Sequence, residues 1–412
     1  MTQSGSTSSI VTAPHLPSSW QSGTARGLAC RVPYQTRTFD SFDWERFCTV
    51  GSLLASSDEA RRFGGDSPGP DGIRFGRLSA TEHFELLRSL SASLANSTYA
   101  PAAPRAHDTP KADGGVRTIY IQDYIDRIVS KHIDLCLKPR WRTVFTFPSA
   151  LGVLARLDRL VRATGWHWLA INDIRRCFDN APREIIMALH RRYIGDNRLL
   201  RLIELHLYLH ASLRQGIGVP QGSAYVATAM ELLLYYCFDL AIAARLGQRN
   251  TSHLRYADNF AFLCGSVSEG VDILSSADEV LGSAGFVRKY PEEPPTDLRI
   301  PDRNRTFLGF VLGWEGEQIT FSIPELAYED LAEGLLLAQD ASDPVENAKE
   351  RCVGWMNAMG PALTRTVVPE TVSRATEVAR RHGFREVSER RLTSVAHEAR
   401  RRWERKLAET QA

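Results

Sequence analysis

Apolar positions along the chain follow two rhythms: a three-to-four-residue spacing that predicts helices, and a two-residue alternation that predicts strands. The helical spacing marks a short segment around 44–55, an amphipathic helix near 80–95, and helices over 123–136, 182–193 and 197–209. A long apolar helix is expected over roughly 224–245, and from about 316 the pattern reads as helical to the end. Alternation marks a hairpin over 109–121, where Val116, Thr118 and Tyr120 alternate with Arg117, Ile119 and Ile121 after the turn Asp113-Gly114-Gly115. "GWHWLAINDI" (165–174) reads as a buried strand that ends in an acid. "HLRYADNFAFL" (253–263) reads as two short apolar strands with Ala257, Asp258 and Asn259 at the bend. Residues 1–37 are rich in Ser, Thr, Gly and Pro, the composition of a mobile leader. "RRFGGDSPGPDGIRFGRLS" is a Gly/Pro-dense basic loop, and no internal repeat stands out.

Composition narrows the class without naming a partner. At 412 residues, 43% hydrophobic and 24% charged, the chain suits a folded protein with two or three subdomains. A net charge of +2 carries no information about ligands, so local charge must. The stretch from Glu370, with Arg400-Arg401-Arg402, fits a salt-bridged solvated helix and a nucleic-acid-facing helix equally well. Seven cysteines (30, 48, 136, 177, 237, 264 and 352) never form a CxxC pair, which points to reduced thiols and no structural zinc. We expect no membrane span and no secretion signal, and therefore a cytoplasmic protein.

Candidate chemistry begins with two aspartates. Asp173 follows an apolar strand and Asp258 sits at the tip of an apolar hairpin, so both can occupy neighbouring strand ends of one sheet. Carboxylates that close repel unless a cation lies between them. Two Mg²⁺ ions roughly 3.5–4 Å apart on such ligands serve in-line phosphoryl transfer, one activating a hydroxyl and one steadying the leaving pyrophosphate. Either Asp alone is an ordinary turn residue. Between them, Gly218-Val219-Pro220-Gln221-Gly222-Ser223 opens the long apolar helix. Gly222 admits a close approach to the main chain, Ser223 can cap the helix, and Gln221 can bond a nucleotide. Lys111 and Arg117 flank the 109–121 turn and could reach a triphosphate, or could simply be surface charges.

Taken in order over roughly 60–315, these segments resemble the reverse transcriptases, in particular the bacterial branch with group II intron, retron and defence-associated enzymes. The resemblance rests on "GPDGI" (69–73), "PKADGGVRTIYIQDYIDRIV" (110–129), "DIRRCFDN" (173–180), "GVPQGS" (218–223), "RYADN" (255–259) and "RTFLGF" (305–310). It implies an α/β right-hand polymerase: fingers over 38–160, a palm with an antiparallel sheet over 161–315 (with inserted fingers elements about 182–217), and a helical thumb over 316–412. It further implies that Asp173, Asp258 and the Ile174 carbonyl hold two Mg²⁺ ions, with Mn²⁺ as a substitute. Phe178 would be the aromatic gate against a ribose 2′-hydroxyl. Gln221, Gly222, Lys111 and Arg117 would hold the nucleotide, and Phe307, Leu308 and Gly309 the primer end. Lys289 stands, off register, as the candidate donor to the leaving pyrophosphate.

This sequence departs from the family at several points. Asn259 stands where most relatives carry a second Asp, which removes a charge from the metal site, and activity is still expected. "FTFPSALGVL" (145–154) lacks an arginine that relatives place there. We expect no endonuclease or zinc domain after the thumb, which would argue against a self-sufficient mobile element. The expected function is RNA-directed DNA polymerisation with an RNA template, a DNA or RNA primer and deoxynucleoside triphosphates, in antiphage defence with a noncoding RNA. A protein partner or a second copy of the chain is left open. The alternatives are template-independent or protein-primed synthesis by the same site, and a catalytically impaired RNA-binding scaffold.

Overall fold

The computed structural model describes residues 39, 42–64, 68–74, 76–110, 115–208, 216–247, 252–341 and 343–411. The leader expected over 1–37, and Lys111 with the turn beside it, lie outside the described residues. In chain order the elements are α1 (Trp44–Phe47), α2 (Val50–Gly64), α3 (Ala80–Ala95), β1 (Arg105–Pro110), β2 (Val116–Ile121), α4 (Tyr124–Trp141), α5 (Ala150–Thr164) and β3 (Trp168–Asp173). They continue with α6 (Arg183–Tyr193), α7 (Asn197–Leu207), α8 (Ala224–Leu234), a π-helical turn (Tyr235–Asp239), α9 (Leu240–Leu246), β4 (His253–Tyr256), β5 (Asn259–Cys264) and α10 (Val267–Ser283). The last are β6 (Thr296–Asp297), β7 (Thr306–Phe307), β8 (Phe310–Glu315), β9 (Gln318–Ser322), α11 (Glu325–Ala338), α12 (Pro344–Ala358), α13 (Val368–Arg381) and α14 (Glu389–Gln411). The protein is therefore a mixed α/β fold with small antiparallel sheets.

A four-stranded antiparallel sheet in the order β4-β5-β3-β6 divides two hydrophobic cores. Ala170, Phe260, Phe262 and Cys264 face the first, built with helices α1–α4 and α6–α10. Leu169, Leu254, Ala261 and Leu263 face the second, built with α5, the β7-β8-β9 sheet and α11–α14. Because both faces are covered, "NFAFLC" is apolar at nearly every position instead of alternating. α5, which the sequence division placed with the fingers, packs in the second core against α14 and β4.

Several helix ends are closed from a distance. Asp71 of "GPDG" accepts from the Tyr124 backbone N–H at 2.7 Å and so caps α4, while its own N–H donates to Asp123 at 2.9 Å. Gly69 beside it lies so close to the Gln122 carbonyl that a Cβ would stand 2.4 Å away. Ser223 occupies the N-cap position of α8 but makes no cap bond. Ser130 of α4 takes that role, accepting from the Tyr225 N–H at 3.1 Å while bonding the Ser223 hydroxyl at 2.6 Å.

Two expectations change. The helical pattern from 316 starts only at Glu325, because Gln318–Ser322 pairs with β8 through a two-residue loop, Gly316 and Glu317, both with positive φ. Such loops match the twist of a hairpin. The expectation of no membrane-length apolar run also fails: Ala224–Leu246 is long and apolar enough to cross a bilayer by length and mean hydropathy, yet 61% of that window is buried in the fold.

Candidate functional site

The two aspartates meet where β3 ends. Asp173 pairs across the sheet with Asn259, and the Ile174 N–H donates to the Asp258 carbonyl at 3.1 Å. On the other side, the Lys289 N–H donates to the Asp173 carbonyl at 2.7 Å and the Arg175 N–H to the Val287 carbonyl at 2.9 Å. Asp173–Arg175 is thus held between the 257–259 turn and the 287–289 segment. Arg288 anchors that segment through a bidentate pair with Asp278, both bonds at 2.6 Å. Buried Cys177 reports the proximity of the acids: burial pushes its thiol up, and the carboxylates of Asp258 and Asp173 push further in the same direction. Asn259 turns its amide to the Asp258 carboxylate at 3.3 Å.

Each acid lines a cavity of its own. Asp258 lines one of about 260 Å³ with Phe178, Tyr256, Glu231, Lys138 and Phe147. Asp173 and Asn259 line the other, about 470 Å³, with Tyr290, Arg305 and Thr306.

Below the turn, the Arg255 side chain is 3% exposed and wholly engaged with acids and a carbonyl. Its fork donates to Asp239 at 2.8 and 2.7 Å, and Nη1 donates to Glu231 and to the Ala257 carbonyl, both at 2.9 Å. Burial alone would lower its pKa, but Asp239 and Glu231 more than offset this and hold it protonated. Burial keeps the Glu231 carboxyl above the usual range despite Arg255.

The loop before α8 serves partly as scaffold. The Gln221 carbonyl accepts from the Tyr120 N–H of β2 at 2.7 Å, and a Cβ on Gly222 would stand 2.7 Å from the Tyr120 carbonyl. The close approach that Gly222 permits is therefore taken up by strand β2 on that side. The Val219 N–H donates to the Phe178 carbonyl at 2.9 Å, tying this loop to the segment after Asp173. Arg117 stands exposed on β2, three residues before Tyr120.

Phe307 is buried in the second core, and Leu308 and Gly309, both with positive φ, form the two-residue turn between β7 and β8. Thr306 just before them lines the cavity of Asp173. Lys289, assigned weakly from its register, proves adjacent to Asp173 through its backbone, and its ammonium lies 4.9 Å from the Tyr290 ring centroid. Sequence reasoning missed Lys138, Glu231 and Arg255. The legible signal was Arg255 itself, a charge inside an apolar strand that demands buried acids as partners.

No cluster of three or more His, Cys, Asp or Glu forms a metal cage among the described residues. The donors expected at the strand end are two carboxylates and the Ile174 carbonyl, all oxygen. That set suits Mg²⁺, which takes one or two carboxylates and completes its shell with water and substrate phosphate.

Comparison with known proteins adds one partial similarity. Protein YkfC of Escherichia coli (strain K12) is 26% identical over 191 residues, which cover 42% of this chain and 49% of that protein. The chain thus spans about half the length of the curated relative it matches. No family model matches the chain.

Proposed function

We propose that the chain is a template-directed DNA polymerase that copies RNA, with Asp173 and Asp258 as its catalytic carboxylates. The observation that carries this reading is the register of β3 against β5, which pairs Asp173 with Asn259 and so brings two acids, each lining a cavity, to one end of the sheet. The four-stranded sheet would be the palm of a right hand, α1–α4 with the β1-β2 hairpin the fingers, and α11–α14 the thumb. The RNA template and the choice of deoxynucleotides rest on the order of the motifs and on Phe178 beside Asp258.

Asp173, Asp258 and the Ile174 carbonyl would hold Mg²⁺. When bound, the metal supplies charge for the transferring phosphoryl group and lowers the pKa of an attacking hydroxyl. The chain's own residues act by positioning. Phe178 and the α8 side of the smaller cavity would receive the nucleotide, and the larger cavity, reached by β7, would receive the primer end. Asn259 donates to Asp258 and fixes its carboxylate without adding a charge. Rate enhancement then comes from orientation and electrostatic stabilisation more than from side-chain acid or base chemistry.

Primer extension on an RNA template with deoxynucleotides and Mg²⁺ tests the reading, with Asp258→Asn as the control. Templated product from the wild type and none from the variant is expected. Product of equal amount without RNA, or equal product from the variant, would overturn it.

A further inference from the structure

We infer that Arg255, held by Glu231 and Asp239, is a positioning residue that sets the direction of the Asp258 carboxylate; this rests on the polymerase reading above. Arg255 lies on β4, three residues before Asp258, with its guanidinium buried. Nε and Nη2 are committed to Asp239, which leaves the two hydrogens of Nη1 for Glu231 and for the Ala257 carbonyl. The last of these bonds decides the role. Ala257 has φ +52°, the left-handed region that a residue with a Cβ holds only when its surroundings fix it. The guanidinium grips the carbonyl of that residue, one peptide before Asp258. The next carbonyl, of Asp258 itself, accepts from the Ile174 N–H. The two peptides that flank the Asp258 α-carbon are therefore fixed from two different elements, which sets the direction of its Cα–Cβ bond.

Of the two carboxylates that satisfy the buried guanidinium, Glu231 sits on the wall of the same cavity that Asp258 lines. With the planar fork set by Asp239, the remaining Nη1 hydrogen is directed at the turn. A lysine cannot replace this geometry, since it offers three donors from one point and no planar fork.

The experiment compares Arg255→Lys and the double variant Arg255→Lys/Ala257→Gly with the wild type. Nucleotide incorporation is measured across a Mg²⁺ titration, and folding is followed by thermal melting. Arg255→Lys, still folded, should lose roughly ten- to a hundredfold in maximal rate, the scale of a misplaced catalytic group, and should need more Mg²⁺ for half-saturation. Adding Ala257→Gly should recover part of the loss, because glycine adopts a positive φ without a tether. A folded Arg255→Lys with the wild-type rate and Mg²⁺ dependence would overturn the inference, as would a lowered melting temperature with an unchanged rate per folded molecule. Where Asp258→Asn is inactive and Arg255→Lys is normal, only this inference falls. Where the wild type itself incorporates nothing, the polymerase reading falls with it.

Discussion

Replacing Gly222 with alanine tests whether the loop before α8 is a docking point for strand β2. Gly222 has φ +121°, and an added methyl would stand 2.7 Å from the Tyr120 carbonyl oxygen and 3.1 Å from Ile119 Cγ2. The first contact is with backbone, so relief requires the strand to move. Such a shift strains the Tyr120 N–H to Gln221 carbonyl bond, now 2.7 Å. The backbone conformation costs an L-residue about 1–3 kcal/mol, and the weakened bond adds about 0.5–1.5 kcal/mol. Together these predict a loss of about 2–4 kcal/mol in urea unfolding. Gly216→Ala is the matched control: φ is +77° with nothing within 4 Å of the new Cβ, so it carries the conformational cost without the clash. Arg117 rides on the same strand, so Gly222→Ala should also raise the nucleotide KM more than it lowers kcat. A Gly222→Ala protein no less stable than Gly216→Ala, with an unchanged KM, would refute the proposed docking.

Burial lowers His132, His190 and His253 to about 4 and His206 to about 3, so each is neutral in the fold. Their contribution is complete above pH 6.5 and is lost as pH falls toward 4, by up to about 1.4 kcal/mol per pH unit per histidine. Asp126, pushed up to about 6 by burial, opposes this with one proton; urea midpoints at pH 7, 6 and 5 should still fall steeply, and a flat profile would contradict the assignment. Phe178→Ala should raise ribonucleotide incorporation relative to deoxynucleotide by about tenfold or more, the scale at which sites discriminate through a single group; an unchanged ratio removes the gate. Asn259→Asp places a third carboxylate beside Asp173 and Asp258, so it should lower the melting temperature in EDTA and regain the loss in Mg²⁺. Equal melting in both conditions would argue against metal at this strand end.

Much of the candidate site was legible because its signals are local. An apolar strand ending in Asp173 and an apolar hairpin with Asp258 at the bend fix both positions along the chain, while the register of one against the other comes from the pairing of β3 with β5. What stayed hidden depends on contacts across long sequence distances. Ser223 looks like the cap of α8, but Ser130, 93 residues earlier, supplies the bond. α5 has an ordinary amphipathic pattern that does not say which core it joins. β9 was read as helix because the loop Gly316-Glu317 lacks the Asn-Gly signature of a tight hairpin. Gly222 was marked as a place where a base or sugar could approach the main chain, but sequence could not say that strand β2 approaches it on one side.

The π-helical turn Tyr235–Asp239 follows the same logic of distant partners. Glu231 and Asp239 must both reach Arg255, yet they are eight residues apart on one helical run. In a regular α-helix each residue advances about 100°, so positions eight apart differ by about 80° and face different ways. A π turn takes in one extra residue for the same rotation, which brings the eighth residue to where the seventh would stand, about 20° from the first. Without it, Asp239 would be turned about 100° around the helix axis from its present direction, out of line with Glu231. The irregular turn is therefore what lets one helix hold both acids against one buried guanidinium, and through it the 257–258 turn. Asp258 owes its direction to a distortion some twenty residues earlier in the chain, in a stretch whose apolar letters read only as a long, uninterrupted helix.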